Sequence, residues 1–188
     1  MNFRKARSNE AETISPFLML AMEDIVYRFI GEESKVQARQ FLTDLIGQKS
    51  NQYSYENCWV VELNNEIAAV AVVYDGARLH ELRKPVASYI KARFNTDFSP
   101  EDETQAGEYY IDCISVIPQH QGKGIGSQLL KFLIEEYVSK GKFPLGLLVD
   151  KDNPNARKLY LKMGFDVVGM KTLADKTMEH LQLKYTTD

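Results

Sequence analysis

Between Tyr109 and Ser139 the chain runs from an apolar strand, past a proline and three alternating glycines, into an amphipathic helix. No other segment constrains the fold as much. Tyr109 to Ile117 is rich in apolar residues, and Pro118, with no N–H to give a ladder, stops it. Gly122, Gly124 and Gly126 follow; Ile125, Leu129, Phe132, Leu133 and Tyr137 then make one helical stripe. Such a junction sets the start of a helix against the end of a strand. Unpaired N–H groups and the positive end of the helix dipole converge there, and glycine lets a ligand approach the backbone. The loop suits phosphate oxygens. It is neither of two common phosphate loops: no Gly-x-x-x-x-Gly-Lys-Ser/Thr string occurs, and the spacing is Gly-x-Gly-x-Gly rather than Gly-x-Gly-x-x-Gly.

The rest of the chain supplies a mixed sheet. Phe3 to Ala6 reads as a short strand. Glu10 to Ile30 carries a helical stripe with Pro16 suited to its first turn and Gly31 at its end. Ser34 to Ile46 reads as a second helix. Cys58 to Leu63 and Ile67 to Tyr74 are β-rich and joined by Asn64-Asn65-Glu66, a hairpin signal. Residues 79 to 94 read as a helix that Pro85 should kink or split. Asn95 to Gly107 is a long polar loop. Leu145 to Val149 is a strand, and Asn153-Pro154 opens a helix that Gly164 closes. Phe165 to Met170 and Met178 to Tyr185 are the last strands. The order predicts an α+β (mixed α/β) fold, one domain over 1–188, with helices on the faces of the sheet.

At 188 residues and a net charge of −3, the chain lacks the basic excess of a nucleic-acid binder. Its longest apolar run, Ile67 to Tyr74, is far short of the roughly 20 residues that span a bilayer. No signal peptide is visible. Cys58 and Cys113, the two cysteines, sit in apolar sequence and read as reduced, buried thiols of a cytoplasmic protein. The expected partners exclude nucleic acid and membrane. No His, Cys or Asp spacing resembles a metal site.

Gln121-Gly122-Lys123-Gly124-Ile125-Gly126, after the strand and Pro118, closely resembles the acetyl-CoA signature of the GNAT N-acetyltransferase superfamily. Further on, Asn153-Pro154-Asn155-Ala156-Arg157-Lys158-Leu159-Tyr160, followed by Gly164-Phe165, looks like that family's second block. The resemblance is strong from Gly107 to Gly169 and extends by element order over Phe3 to Tyr74. The stretch 75–107 departs from it as an insertion. The resemblance implies a mostly antiparallel twisted sheet with one parallel, splayed strand pair at the cofactor. It implies acetyl-CoA as co-substrate and no metal. Gln121 opens the loop, and main-chain N–H groups of Gly122, Lys123, Gly124, Ile125 and Gly126 would hold the pyrophosphate, with Ser127 adding a donor. The backbone of Ile114, Ser115 and Val116 would pair with the pantetheine arm. Asn153 and Asn155 belong to the second block, Asn153 also being a helix cap. The Tyr160 hydroxyl would lie near the sulfur.

These roles define an acetyl-CoA-dependent N-acetyltransferase in which a primary amine attacks the thioester directly. The alternative is a non-catalytic acyl-CoA-binding or sensor module. An alkylamine has a pKa near 10.4 and must lose a proton, so a base is expected. Glu108 and Asp112 share strand parity with Tyr110, Ile114 and Val116, which predicts one common face. Glu108 also stands where the histone-type branch has its catalytic glutamate. Six acids between Asp97 and Asp112, unaccompanied by Lys or Arg, would attract a positively charged acceptor, a small molecule or a peptide. Replacing either candidate base should lower kcat/KM most at low pH. Oligomeric state is open between monomer and homodimer.

Overall fold

In the computed structural model, which describes residues 1–185, β1 (Asn2–Lys5) lies antiparallel to β2 (Cys58–Leu63). The connection between them is α1 (Ala11–Ile30) and α2 (Lys35–Ile46). Gly31 ends α1 at φ 77°, and the Ser34 hydroxyl caps α2 by accepting the Gln37 N–H at 3.3 Å. Met22 leaves helical geometry, at φ −143° and ψ 26°, and kinks α1 midway. Pro16 lies beyond the first turn, because α1 begins at Ala11. Asn64 and Asn65, at φ 52° and 65°, turn β2 into β3 (Glu66–Asp75), as the sequence predicts.

α3 (Leu79–Phe94) stays one helix across Pro85, contrary to expectation. The ring removes a single N–H, the one that would have reached the Glu81 carbonyl, and the bonds on either side carry the helix across. Then come β4 (Tyr109–Val116), α4 (Ile125–Ile134, continued by a π-helical stretch Glu135–Lys140) and β5 (Leu145–Asp150). α5 (Pro154–Lys162), β6 (Asp166–Leu173) and β7 (Lys176–Leu183) finish the chain. The last two strands reach further into their turn than predicted, because Ala174 and Asp175 adopt φ 50° and 62° without a glycine to announce it.

The sheet order is β1-β2-β3-β4-β5-β7-β6, antiparallel except for β4 beside β5. Alternate residues of the central strands supply two cores. Val60, Val70 and Val72 pack with Leu18, Phe41 and Leu82 under α1, α2 and α3. Val61, Ala71 and Ile111 pack with Leu129, Leu133 and Phe165 under α4 and α5. Among the described residues no helix is long and apolar enough to cross a membrane. Both cysteines are buried and unbonded to each other; burial pushes the Cys58 thiol up to about 12.

β4 contains the feature that shapes the site. Val72 faces Cys113 and Val73 faces Ile111, so Asp112 is an extra residue, a β-bulge. The bulge resets the alternation. Tyr110 and Cys113 join the α1 side, whereas Ile114 and Val116 pack on the α4 side. The single common face expected for Glu108, Tyr110, Asp112, Ile114 and Val116 is therefore wrong.

Candidate active site

β4 and β5 pair only at Tyr109–Leu145, Tyr110–Gly146 and Ile111–Leu147. Pairing stops where the bulge begins. A bulge bends its strand and increases the twist, and beyond it the edge of β4 that faced β5 carries no partner strand as far as Val116. Ile114, Ser115 and Val116 thus present main-chain groups to a gap. The Gln121 side chain donates to the Val116 carbonyl at 2.9 Å and ties the loop to the end of β4. Gly122 and Gly124 take φ 73° and 78°, and a Cβ built on either meets no atom within 4 Å. The loop is open on its outer side, and Gly124 caps α4. The first N–H groups of α4, from Ile125 through Ser127, have no carbonyl a turn earlier to bond. Ile125 itself turns its side chain into the core. Lys123 is exposed. This cradle fits a pyrophosphate carried by backbone donors.

Where the strands part, a cavity of about 750 Å³ opens between β4, β5, α5, the second half of α1 and the β6–β7 hairpin. It brings together Asp112, Asn153 and Tyr160, with Tyr110, Leu148 and Asp150. Asn153 accepts the Ala156 N–H at 3.1 Å, so it caps α5 as well as lining the cavity. Asn155 is exposed and outside the lining. Burial, with the nearby Cys113, pushes the Tyr160 hydroxyl up to about 12, so it keeps its proton at neutral pH. Burial also raises the Asp112 carboxyl from its ordinary value, although Gln52, Tyr74 and Arg83 oppose it. Four residues further along β4, roughly 13 Å at strand rise, stands Val116 beside the glycine loop.

Glu108 is elsewhere. It is 2% exposed and sits at the paired base of β4 and β5, where its carboxylate lies so close over Gly146 that a Cβ there would come within 2.1 Å. It accepts from Thr104 at 2.7 Å and Gln182 at 2.6 Å, and pairs with His180 Nε2 at 2.9 Å. Burial works against its charge, but those hydrogen bonds outweigh it and hold the carboxyl below its ordinary value. It is outside the cavity lining. The acidic stretch is divided: Asp97, Glu101 and Asp102 are exposed, whereas Glu103 and Glu108 are buried and Asp112 is half-buried. Asp97 and Asp102 are engaged by Lys91 and Arg83. Asp24, Glu32 and Glu33 line the cavity with no ion-pair partner among the described residues, and its cations Arg28 and Lys176 are bound to Asp175 and Asp150.

Sequence reasoning missed Gln52 and Tyr74, which hydrogen-bond to Asp112, and Arg83, which pairs with the neighbouring Glu103. One signal existed. Arg83 falls on the apolar stripe of α3 with Leu79, Leu82, Val86 and Ile90, and a cation on a buried stripe requires a buried partner.

Fold and groove define a protein that can seat an extended, phosphate-bearing ligand along an opened strand edge. Residues 23–165 match the model of the acetyltransferase (GNAT) family, and the chain belongs to that family. A crystal structure described as an acetyltransferase is 30% identical, with a TM-score of 0.82, over 99% of this chain and 100% of the other. An N-acetyltransferase from Staphylococcus aureus Mu50 is 22% identical with a TM-score of 0.83, covering 97% of this chain and 100% of that one. The yncA structure of Salmonella typhimurium, solved with acetyl-CoA, shares the fold at 18% identity and a TM-score of 0.59, over 100% and 95%. The N-alpha-acetyltransferase RimI of Mycobacterium tuberculosis is 34% identical over 97 residues, 48% of this chain. The match spans 60% of that relative's length.

Proposed function

We propose that this protein transfers the acetyl group of acetyl-CoA to a primary amine that carries positive charge. The observation that supports this most is the presence of Asp112 and Tyr160 in one cavity, at the point where β4 and β5 separate. Bound acetyl-CoA supplies the thioester carbonyl that the amine attacks. The Gly122–Gly126 backbone and Ser127 hold its phosphates, and the free edge of Ile114–Val116 aligns its arm. Asn153 borders the same cavity. Asp112 takes the proton from the ammonium group, leaving the lone pair free to attack. Tyr160, held protonated by burial, gives its proton to the departing sulfur and regains one from the attacking nitrogen, which sheds its second proton as the amide forms. Asp24, Glu32 and Glu33 favour a cationic acceptor, which the names of relatives such as RimI make compatible with a peptide α-amine as well as a small molecule.

The raised Asp112 carboxyl changes the expected pH dependence. Below its pKa Asp112 is already protonated and cannot serve as base. The defect of Asp112→Asn should therefore be widest at neutral and mildly alkaline pH and should shrink at low pH, the reverse of the low-pH maximum expected from the scarcity of neutral amine alone.

A thiol-release screen with acetyl-CoA against polyamines, aminoglycosides, amino acids and short peptides tests the proposal. Cationic acceptors should lead, and Asp112→Asn should lower kcat/KM by roughly 100-fold or more near neutral pH. Saturable CoA binding without release for any amine would instead indicate a non-catalytic acyl-CoA-binding module.

A further inference from the structure

Glu103 lies between α3 and β4, in the stretch that departs from the family pattern, yet its side chain is only 3% exposed. Its Oε2 is gripped by Arg83 of α3, itself 8% exposed. Its Oε1 lies 2.7 Å from Tyr74 Oη and 2.8 Å from Gln52 Nε2. The same two groups reach Asp112: Oδ2 is 3.1 Å from Tyr74 Oη and 2.8 Å from Gln52 Nε2. A buried carboxyl, Glu103, and a half-buried one, Asp112, share both partners.

Counting protons limits the states of this cluster. The Gln52 amide has two N–H groups and gives one to each carboxyl. Tyr74 has one O–H within reach of two acceptors. It donates to one, and its lone pair accepts from the other only when that carboxyl is protonated. The shorter contact gives the Tyr74 proton to Glu103, whose far oxygen faces Arg83. The Tyr74–Asp112 bond is then complete when Asp112 carries a proton. Arg83 neutralises one carboxylate, and two carboxyls this close and this dry resist ionising together. Burial, then the Asp112 charge, pushes Glu103 up to about 7.

The other groups facing the pair are accounted for. Tyr53, from the segment before β2, and Tyr110 and Cys113 of β4 are held protonated by burial. Asp24 of α1, Tyr160 of α5 and the Asp150–Lys176 pair lie around the cavity that Asp112 lines. Asp102 and His80 flank Arg83 on its outer side.

We propose that Glu103 is a positioning residue: through Tyr74 and Gln52 it shares one proton with Asp112, so the stretch between α3 and β4 sets how readily Asp112 takes the amine proton. This rests on Asp112 being the base. In the step itself one N–H bond of the ammonium breaks and one O–H bond forms on Asp112, while the electron pair stays on nitrogen. Protonated Asp112 donates to Tyr74, Tyr74 donates to Glu103, and Arg83 balances the Glu103 charge. The proton returns to water after product leaves.

Glu103→Gln removes the negative charge that favours a proton on Asp112. The acid limb of kcat/KM, measured by thiol release with spermidine or the best amine of the screen, should move to lower pH by about one unit or more. An unmoved limb in a folded Glu103→Gln protein overturns the proposal. Asp112→Asn is measured in parallel: wild-type kcat/KM there overturns the base itself, whereas an impaired Asp112→Asn with an unmoved Glu103→Gln limb overturns only the role of Glu103. If Glu103→Gln does not fold, carboxyl-carbon NMR of the wild-type protein decides. One buried carboxyl should keep its proton above pH 6; ionisation of both by pH 5 would refute proton sharing.

Discussion

Tyr160 can be tested without disturbing its packing. Its ring centroid is 6.0 Å from that of Phe165, a contact that Tyr160→Phe preserves. Loss of the hydroxyl alone should lower kcat by roughly 10²–10⁴-fold with little change in CoA affinity, if it protonates the leaving sulfur; an unaltered kcat would leave it a packing residue. Gly124 is the complementary case. Its φ of 78° penalises any side chain, and its outer side is open. Gly124→Ala should leave a folded protein about 1 kcal/mol less stable, with CoA binding weakened at least tenfold, read by calorimetry. Both residues were legible because each belongs to a motif whose spacing survives in the linear chain. Glu103 was not. Nothing near it in sequence distinguishes it from Glu101 or Asp102, and its partners Gln52, Tyr74 and Arg83 come from three other segments.

At the scale of elements, strands and helices were legible from periodicity, and their exceptions were not. The Asn64-Asn65 turn announces itself; the Ala174-Asp175 turn has the same left-handed backbone, which Asp175 suits and Ala174 does not. Ala174→Gly should relieve that strain by about 1 kcal/mol and raise Tm by roughly 2–4 °C. The bulge at Asp112 is invisible because strict alternation is the default reading of a strand, and one extra residue reverses every side chain beyond it. The segment after α3 has a different cause. Its polar sequence suggests solvent, but Arg83 binds the carbonyls of Pro100 and Glu101 and the carboxylates of Asp102 and Glu103, drawing the segment onto the fold. Arg83→Met removes the cation from a buried pair and should cost about 3–5 kcal/mol. Hydrogen exchange should rise first in residues 95–107 if the clamp acts locally.

For the whole molecule, the shifted carboxyls make stability depend on pH in two opposing ways. Glu10 and Glu179 are held below their ordinary values by Arg4 and Arg157, and Glu108 by hydrogen bonds that outweigh its burial. Such groups stabilise the fold above the ordinary carboxylate range, and that contribution is lost as pH falls through their lowered values. Glu103 and Asp112 act in the other direction. Burial raises both, Glu103 from 4.5 to about 7, so the folded state binds their protons more tightly than the unfolded chain does. Their contribution is complete below the unfolded values and disappears as pH rises through the folded ones. The first set favours folding on leaving acid, and the second opposes it between about pH 4.5 and 7. Tm should therefore peak near pH 5 and decline towards pH 7.5. Glu103→Gln removes one member of the opposing pair and lets Asp112 ionise beside Arg83, so its Tm should be nearly flat from pH 5 to 7.5. Melting curves of both proteins at matched ionic strength check this. A wild-type Tm that climbs steadily from pH 5 to 7.5 would mean that both carboxyls are ionised in the fold, and would remove the basis for a shared proton beside the cavity.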